Sequence, residues 1–180
     1  METPFSKFIK DNIKSDGLIG VEIGVMTGTN AVYLLEDLPI KRLYLVDNYN
    51  AYFSGSGWFT AEQQEQYHAE TISKTDKYFE KVLIIKQDSS WAYKLFQNAY
   101  FDFVYIDANH DYRNVMDDMN YWWDKCKSGG VFGGHDYGTV NGAEVKKAVD
   151  DFIKIKGLVV QDPAIGMRVG QAMEWAFIKP

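Results

Sequence analysis

Two of the three histidines in this chain stand in short polar motifs that directly follow apolar runs. His110 belongs to Tyr105-Ile106-Asp107-Ala108-Asn109-His110-Asp111-Tyr112, and His135 to His135-Asp136-Tyr137. An imidazole titrates near pH ~6.5, so one set beside carboxylates can take a proton from a substrate at neutral pH. His68 lies apart, in a polar helical stretch.

A second cluster follows the run Leu18-Ile19-Gly20-Val21-Glu22-Ile23, where the chain continues Gly24-Val25-Met26-Thr27-Gly28-Thr29. Two glycines four apart let a ligand approach backbone N–H groups, or form no more than a tight turn. A dinucleotide loop wants Gly-x-Gly-x-x-Gly, and counted from Gly24 its second and third glycines are Met26 and Thr29 here. A phosphate loop needs Gly-Lys followed by Ser or Thr, and no Gly-Lys pair occurs. Asp47 closes the next apolar run, where its carboxylate can accept both hydroxyls of a ribose. The nucleoside is indicated and the pyrophosphate is not.

Such residues must be positioned by elements, and the apolar spacing supplies them. Short runs predict strands at 18–23, 43–46, 82–85, 101–106, 131–133, 158–160 and 173–178. Helical spacing predicts helices over about 4–14, 28–36, 61–80 and 111–126, one beginning near Ser89 or Ser90, and one carrying Val145, Val149 and Phe152. Thr60 with Gln63 has capping-box spacing for the third. Seven strands alternating with about six helices predict an open α/β sheet covered on both faces. Ligands then bind beyond the carboxyl ends of the strands, where the polar motifs fall. The stretch 48–60 interleaves Tyr52, Phe53, Trp58 and Phe59 with Gly55, Ser56 and Gly57, and reads as a mobile loop able to form a lid.

Composition narrows the function classes. A chain of 180 residues with 46% apolar and 24% charged residues suits one globular domain spanning 1–180. The net charge of −6 offers no general field for nucleic acid or anionic lipid. The single Cys126 excludes an internal disulfide and a thiolate zinc cluster, and its neighbours put it in a helix. No run reaches the ~18 apolar residues of a membrane span, and the first residues lack a secretion signal. A cytoplasmic protein without nucleic-acid or membrane partners is expected, with a homo-oligomer allowed.

Glu22-x-Gly24-x-x-x-Gly28, Asp47, and Gln87-Asp88-Ser89 after the third strand resemble class I S-adenosylmethionine-dependent methyltransferases. The Ile106-Asp107-x-x-His110-x-Tyr112 segment, Gly129-Gly130 and His135-Asp136-Tyr137 narrow this to a small-molecule subgroup, methyltransferase domain family 24, to which sugar and antibiotic O-methyltransferases are related. The likeness runs from about Gly20 to Tyr137, and Glu174-Trp175-Ala176-Phe177-Ile178 suits the family's last strand. Ala108 and Asn109 depart from the subgroup's more frequent Gly and Asp. The resemblance implies a Rossmann-like three-layer sandwich whose mostly parallel seven-stranded sheet has its last strand antiparallel.

It also implies roles. Glu22, Gly24, Met26 and Gly28 would line the methionine part of S-adenosylmethionine. Asp47 and Asn48 would lie at the ribose, Asp88 and Ser89 at the adenine, and Asp107 beside the cofactor. Asp88 reads equally as a helix cap. The implied reaction moves a methyl group to a small-molecule acceptor, most readily a hydroxyl, with His110 as base and Asp107 beside it. In related metal-dependent enzymes the positions of Asp107, His135 and Asp136 hold Mg²⁺. An imidazole in that set fits Mn²⁺ or Fe²⁺ as well. Rival readings are a structural His110 bonded to Asp136 or Asp111, a metal-independent N-methyltransferase, and a nucleoside-binding protein without turnover. No Pro-Pro-Tyr loop and no Pro-Cys pair occurs, which disfavours methylation of nucleic-acid bases.

Overall fold

The computed structural model describes residues 2–54, 57–138, 143–160, 162–165 and 174–180. The first half runs α1 (Pro4–Asn12), β1 (Leu18–Ile23), α2 (Thr29–Asp37), β2 (Ile40–Asp47), β3 (Tyr52–Ser54), β4 (Gly57–Phe59) and α3 (Ala61–Thr75). The second runs β5 (Val82–Lys86), α4 (Ser89–Ala92), β6 (Phe101–Ile106), α5 (Tyr112–Trp123), β7 (Cys126–Gly134), α6 (Ala143–Ile155), β8 (Ala164–Ile165) and β9 (Glu174–Ile178). Single 3₁₀ turns follow α3 and α4, at Asp76–Tyr78 and Tyr93–Leu95.

Seven strands form one sheet in the order β5-β2-β1-β6-β7-β9-β8. The first five are parallel, β9 runs antiparallel to β7, and β8 antiparallel to β9. This is the expected Rossmann-like sheet. Its strand order reverses between β1 and β6, which opens a crevice at their carboxyl ends. Two apolar layers sandwich it. Phe5, Ile9, Leu34, Phe103 and Tyr105 pack on the α1 and α2 side, and Trp122, Phe132, Phe152 and Trp175 on the side of α4, α5 and α6. Among the described residues no helix is long and apolar enough to cross a membrane.

Four expectations need correction. Residues 158–160 form no strand. Gly157 (φ +64°) donates to Lys154 O and Leu158 to Ile153 O, so this run closes α6 as a Schellman cap, with Leu158 packed on the core. The seventh strand of the sheet is β8 instead. Cys126 is not helical: α5 stops at Trp123, and Cys126 opens β7 fully buried, with its thiol pushed up to about 12 by burial. Gly129 (φ +76°) lies inside β7, whose register shifts there, rather than before it. The aromatic stretch is a hairpin, in which Tyr52 pairs with Phe59 and Phe53 with Trp58. Gly55 and Ser56 at its centre, and Met173 before β9, lie outside the described residues.

Candidate active site at the strand ends

The crevice is built by backbone first. Gly24 N donates to Val46 O and Asp107 N to Ile23 O, tying the ends of β2, β1 and β6 together. Gly24 (φ +81°) lies so close to the third strand end that a Cβ there would sit 2.2 Å from Asp107 O. Gly28 (φ +71°) then starts α2, and its N–H reaches Val25 O at 2.9 Å. Met26 stands between them, half-exposed, at φ +51°.

Asp47 organises this loop. Its Oδ2 accepts Val25 N at 2.8 Å and Met26 N at 3.0 Å, and its Oδ1 accepts Tyr49 N at 2.8 Å. A carboxylate offers about four lone-pair sites, so three are taken. Helix α3 supports the loop from outside: Thr71 Oγ1 donates to Met26 O, and Tyr49 donates its hydroxyl to Thr71. His68 packs against Tyr49, with ring centres 4.6 Å apart and the planes tilted by 32°. The expected capping box at Thr60 and Gln63 is formed and anchors α3 after the hairpin.

Glu22 is almost fully buried beneath the loop. Asn30 Nδ2 donates to its Oε1 at 3.3 Å, while Oε2 has no hydrogen-bond partner among the described residues. Burial holds its carboxyl well above the usual range, and the nearby Asp107 and Asp47 add to this. A buried acid with an unpaired oxygen favours a cationic neighbour.

At the end of β5, Asp88 caps α4 by accepting the N–H and hydroxyl of Ser90, which holds its carboxyl below the usual range. Asn48 Nδ2 approaches the other Asp88 oxygen at 3.4 Å. Ser89 turns its hydroxyl inward to Asp118 on α5. Asp118 is buried, and burial pushes it up to about 7.

The acids and histidines of β6 and β7 converge. His110 Nε2 lies 3.2 Å from Asp136 Oδ2 and 3.4 Å from Asp107 Oδ1. His135 Nδ1 lies 3.2 Å from the same Asp136 oxygen and 3.9 Å from Asp107. The Asp107 hydrogen bond raises His110's pKa and Asp136 adds to it, against burial. Burial works to lower His135, but Asp136 and Asp107 outweigh it and the net shift is upward. The protein enclosing Asp107 raises its carboxyl, although 30% of the side chain still meets solvent. Asp107, His110 and Asp136 each bring a ligand atom within 4.8 Å of the others, a set able to hold a divalent cation. Behind them Glu174 accepts Tyr105 OH at 3.1 Å and Phe5 N at 2.8 Å, tying α1 to the floor.

The structure sets Asp47, Asn48 and Asp88 beside the Gly24–Gly28 loop, with Glu22 buried beneath it, and brings Asp107, His110, His135 and Asp136 together, while Ser89 turns its hydroxyl away to Asp118. Partial burial raises the Tyr52 phenol, and the charges of Asp47, Tyr67 and Asp107 reinforce the shift. Sequence reasoning missed Asn30, Tyr49, Thr71 and Asp118. Only Asp118 carried a signal, because it falls within the helical stripe Val115, Met119 and Trp122.

Residues 21–137 match a family model described as a methyltransferase domain. No curated protein matches the sequence. Among solved structures, a cofactor-bound protein from MTB, Rv0187, is similar over 98% of this chain and 78% of its own, at TM-score 0.69 and 13% identity. Precorrin-6y C5,15-methyltransferase from Geobacter metallireducens is similar over 97% and 87%, at TM-score 0.63 and 14% identity. Spermidine synthase from Thermotoga maritima is similar over 89% of this chain and 53% of its own, at TM-score 0.58 and 12% identity.

Proposed function

The chain belongs to the methyltransferase domain family and is an S-adenosylmethionine-dependent methyltransferase, and from that premise we propose that it methylates a hydroxyl of a small molecule. The observation that carries this reading is the convergence of Asp107, His110 and Asp136 beside the Gly24–Gly28 loop.

The residues around the loop suit the cofactor. Its amino group and sulfonium are cationic, and Glu22 Oε2 is a buried acceptor, unpartnered among the described residues. Asp47 keeps about one lone-pair site for a ribose hydroxyl, and the second hydroxyl must compete with the exposed Met26 N–H. Asn48 and Asp88 would border the adenine. When bound, the cofactor supplies a methyl group that an in-line nucleophile can take.

The chain's own work is alignment and proton removal. An acceptor hydroxyl lying between the two groups would give its proton to His110 Nε2, displacing the long contact to Asp107. Asp136, 3.2 Å from that nitrogen, would then stabilise the imidazolium. Tyr52 and the rest of the aromatic hairpin would cover the acceptor and exclude water.

A second reading is favoured by the same convergence. Two carboxylates with one or two imidazoles fit Mn²⁺, Fe²⁺ or, less well, Mg²⁺. Asp107 and Asp136 would hold the ion together with His110 or His135, and the ion would lower the pKa of the acceptor hydroxyl. Methyl transfer to a panel of hydroxylated sugars and catechols, with and without chelator, tests both. Loss of rate on chelation selects the metal reading, an unchanged rate selects His110 as base, and transfer to amines alone rejects hydroxyl methylation.

A further inference from the structure

Among the described residues β5 ends the sheet on one side, paired with β2 alone. Lys81 O accepts Leu43 N, and Gln87 N donates to Asp47 O, so odd-numbered residues turn their backbone toward β2. Val82, Ile84 and Lys86 therefore turn their N–H and C=O groups outward, a ready template for another strand. The middle of this edge is apolar, and its flank is unusually bare. Leu83 is 46% exposed, Leu95 67% and Trp91 63%. Leu83 stands opposite Tyr44 in register, and Tyr44 packs on Phe96 at 4.9 Å, which puts Leu95 on the same flank as Leu83.

We propose that β5 pairs antiparallel with β5 of a second copy of this chain, giving a two-fold dimer whose sheet runs through both subunits. A two-fold axis forces the two edges antiparallel. Every register centred on a residue of β5 lets the outward backbone groups meet, and of these only the one centred on Leu83 sets opposite charges against each other. Centring on Ile84 brings Glu80 toward Asp88 of the second copy, a like-charge clash. Centring on Leu83 brings Glu80 toward Lys86 instead, twice by symmetry, while Val82 and Ile84 exchange backbone hydrogen bonds. Charge complementarity selects this register. Lys86 bridges Glu65 within its own subunit and so sits between two acids. Leu83 then meets its symmetry mate on the axis, and Leu95 and Trp91 close over the pair.

Sedimentation equilibrium of the full chain over a wide concentration range tests this. The parent should show a monomer–dimer equilibrium, and Leu83→Lys should weaken it by about tenfold or more, because two ammonium groups would meet on the axis. Glu80→Lys and Lys86→Glu should each be monomeric alone, with like charges at both ends of the edge. Mixed in equal amounts they should dimerise, since each pairing is then complementary. A parent that stays monomeric throughout would overturn the proposal. So would a dimer indifferent to Leu83→Lys, or charge variants that fail to associate when mixed although thermal melts show both folded.

Discussion

Asp136 Oδ2 stands 3.2 Å from His110 Nε2, joining the end of β7 to the end of β6. Asp136 does this from a left-handed backbone conformation, φ +63°, which a side chain bearing Cβ adopts at a cost. The same oxygen lies 3.2 Å from His135 Nδ1. One carboxylate oxygen thus serves two imidazoles, and the strained residue that carries it raises the basicity of both, adding to Asp107 at His110.

That relationship predicts a pH profile. Asp107 and then Asp136 raise His110 above the ordinary imidazole value, so the ring stays an imidazolium to higher pH. With His110 as base, kcat/KM should rise with pH through this raised pKa. Asp136→Asn removes one stabilising charge and should move the limb to lower pH. A limb that stays in place, or moves up, would separate it from His110.

Asp47→Ala should weaken S-adenosylhomocysteine binding by roughly 1.5–3 kcal/mol, the scale of lost charge-assisted hydrogen bonds. It should also lower thermal stability, because Val25, Met26 and Tyr49 lose their acceptor. Isothermal titration and melting together check this. Unchanged affinity with lowered stability would leave Asp47 a loop brace and no ribose contact.

The crevice was legible because each chemical motif directly follows a strand that apolar runs announce, and parallel strands bring such ends together. Glu22, Asp47, Asp107 and His135 needed no more than that. Val159 was misread because three apolar residues look alike in a strand and in a helix cap, and only the hydrogen bonds of Gly157 and Leu158 distinguish them. The hairpin was hidden because its aromatics pair with each other across the strands rather than alternating with polar residues. Thr71 meets the loop, and Asn30 meets Glu22, through tertiary packing that local patterns do not encode.

Asp118 makes stability depend on pH in a defined direction. Its carboxyl is pushed up to about 7 in the folded chain and titrates near ~4 when unfolded. Below the unfolded value the group costs nothing. As pH rises toward 7 the unfolded state loses its proton first, and stability falls by up to about 4 kcal/mol. Asp118→Asn keeps an acceptor for Ser89 without a charge. Urea unfolding should find this variant more stable than the parent at pH 8 and nearly equal to it at about pH 4, where the unfolded parent takes up the proton as well. Equal stability at both would mean the buried acid is better solvated than its surroundings indicate.

The β3–β4 hairpin should exchange its amide hydrogens more slowly once S-adenosylhomocysteine is bound. Phe53 and Trp58 are 60% and 73% exposed, so the hairpin is held by few core contacts. Equal protection with and without ligand would make it a permanent edge rather than a lid.

The most direct measurement compares His110→Ala with the parent in two assays, S-adenosylhomocysteine titration and turnover on an accepted hydroxyl substrate, in the presence of chelator. The account predicts nearly unchanged affinity with turnover lowered by about 10²–10⁴, the usual contribution of a positioned base. Parent-like turnover would contradict it, and loss of cofactor binding would make His110 a structural residue of the crevice.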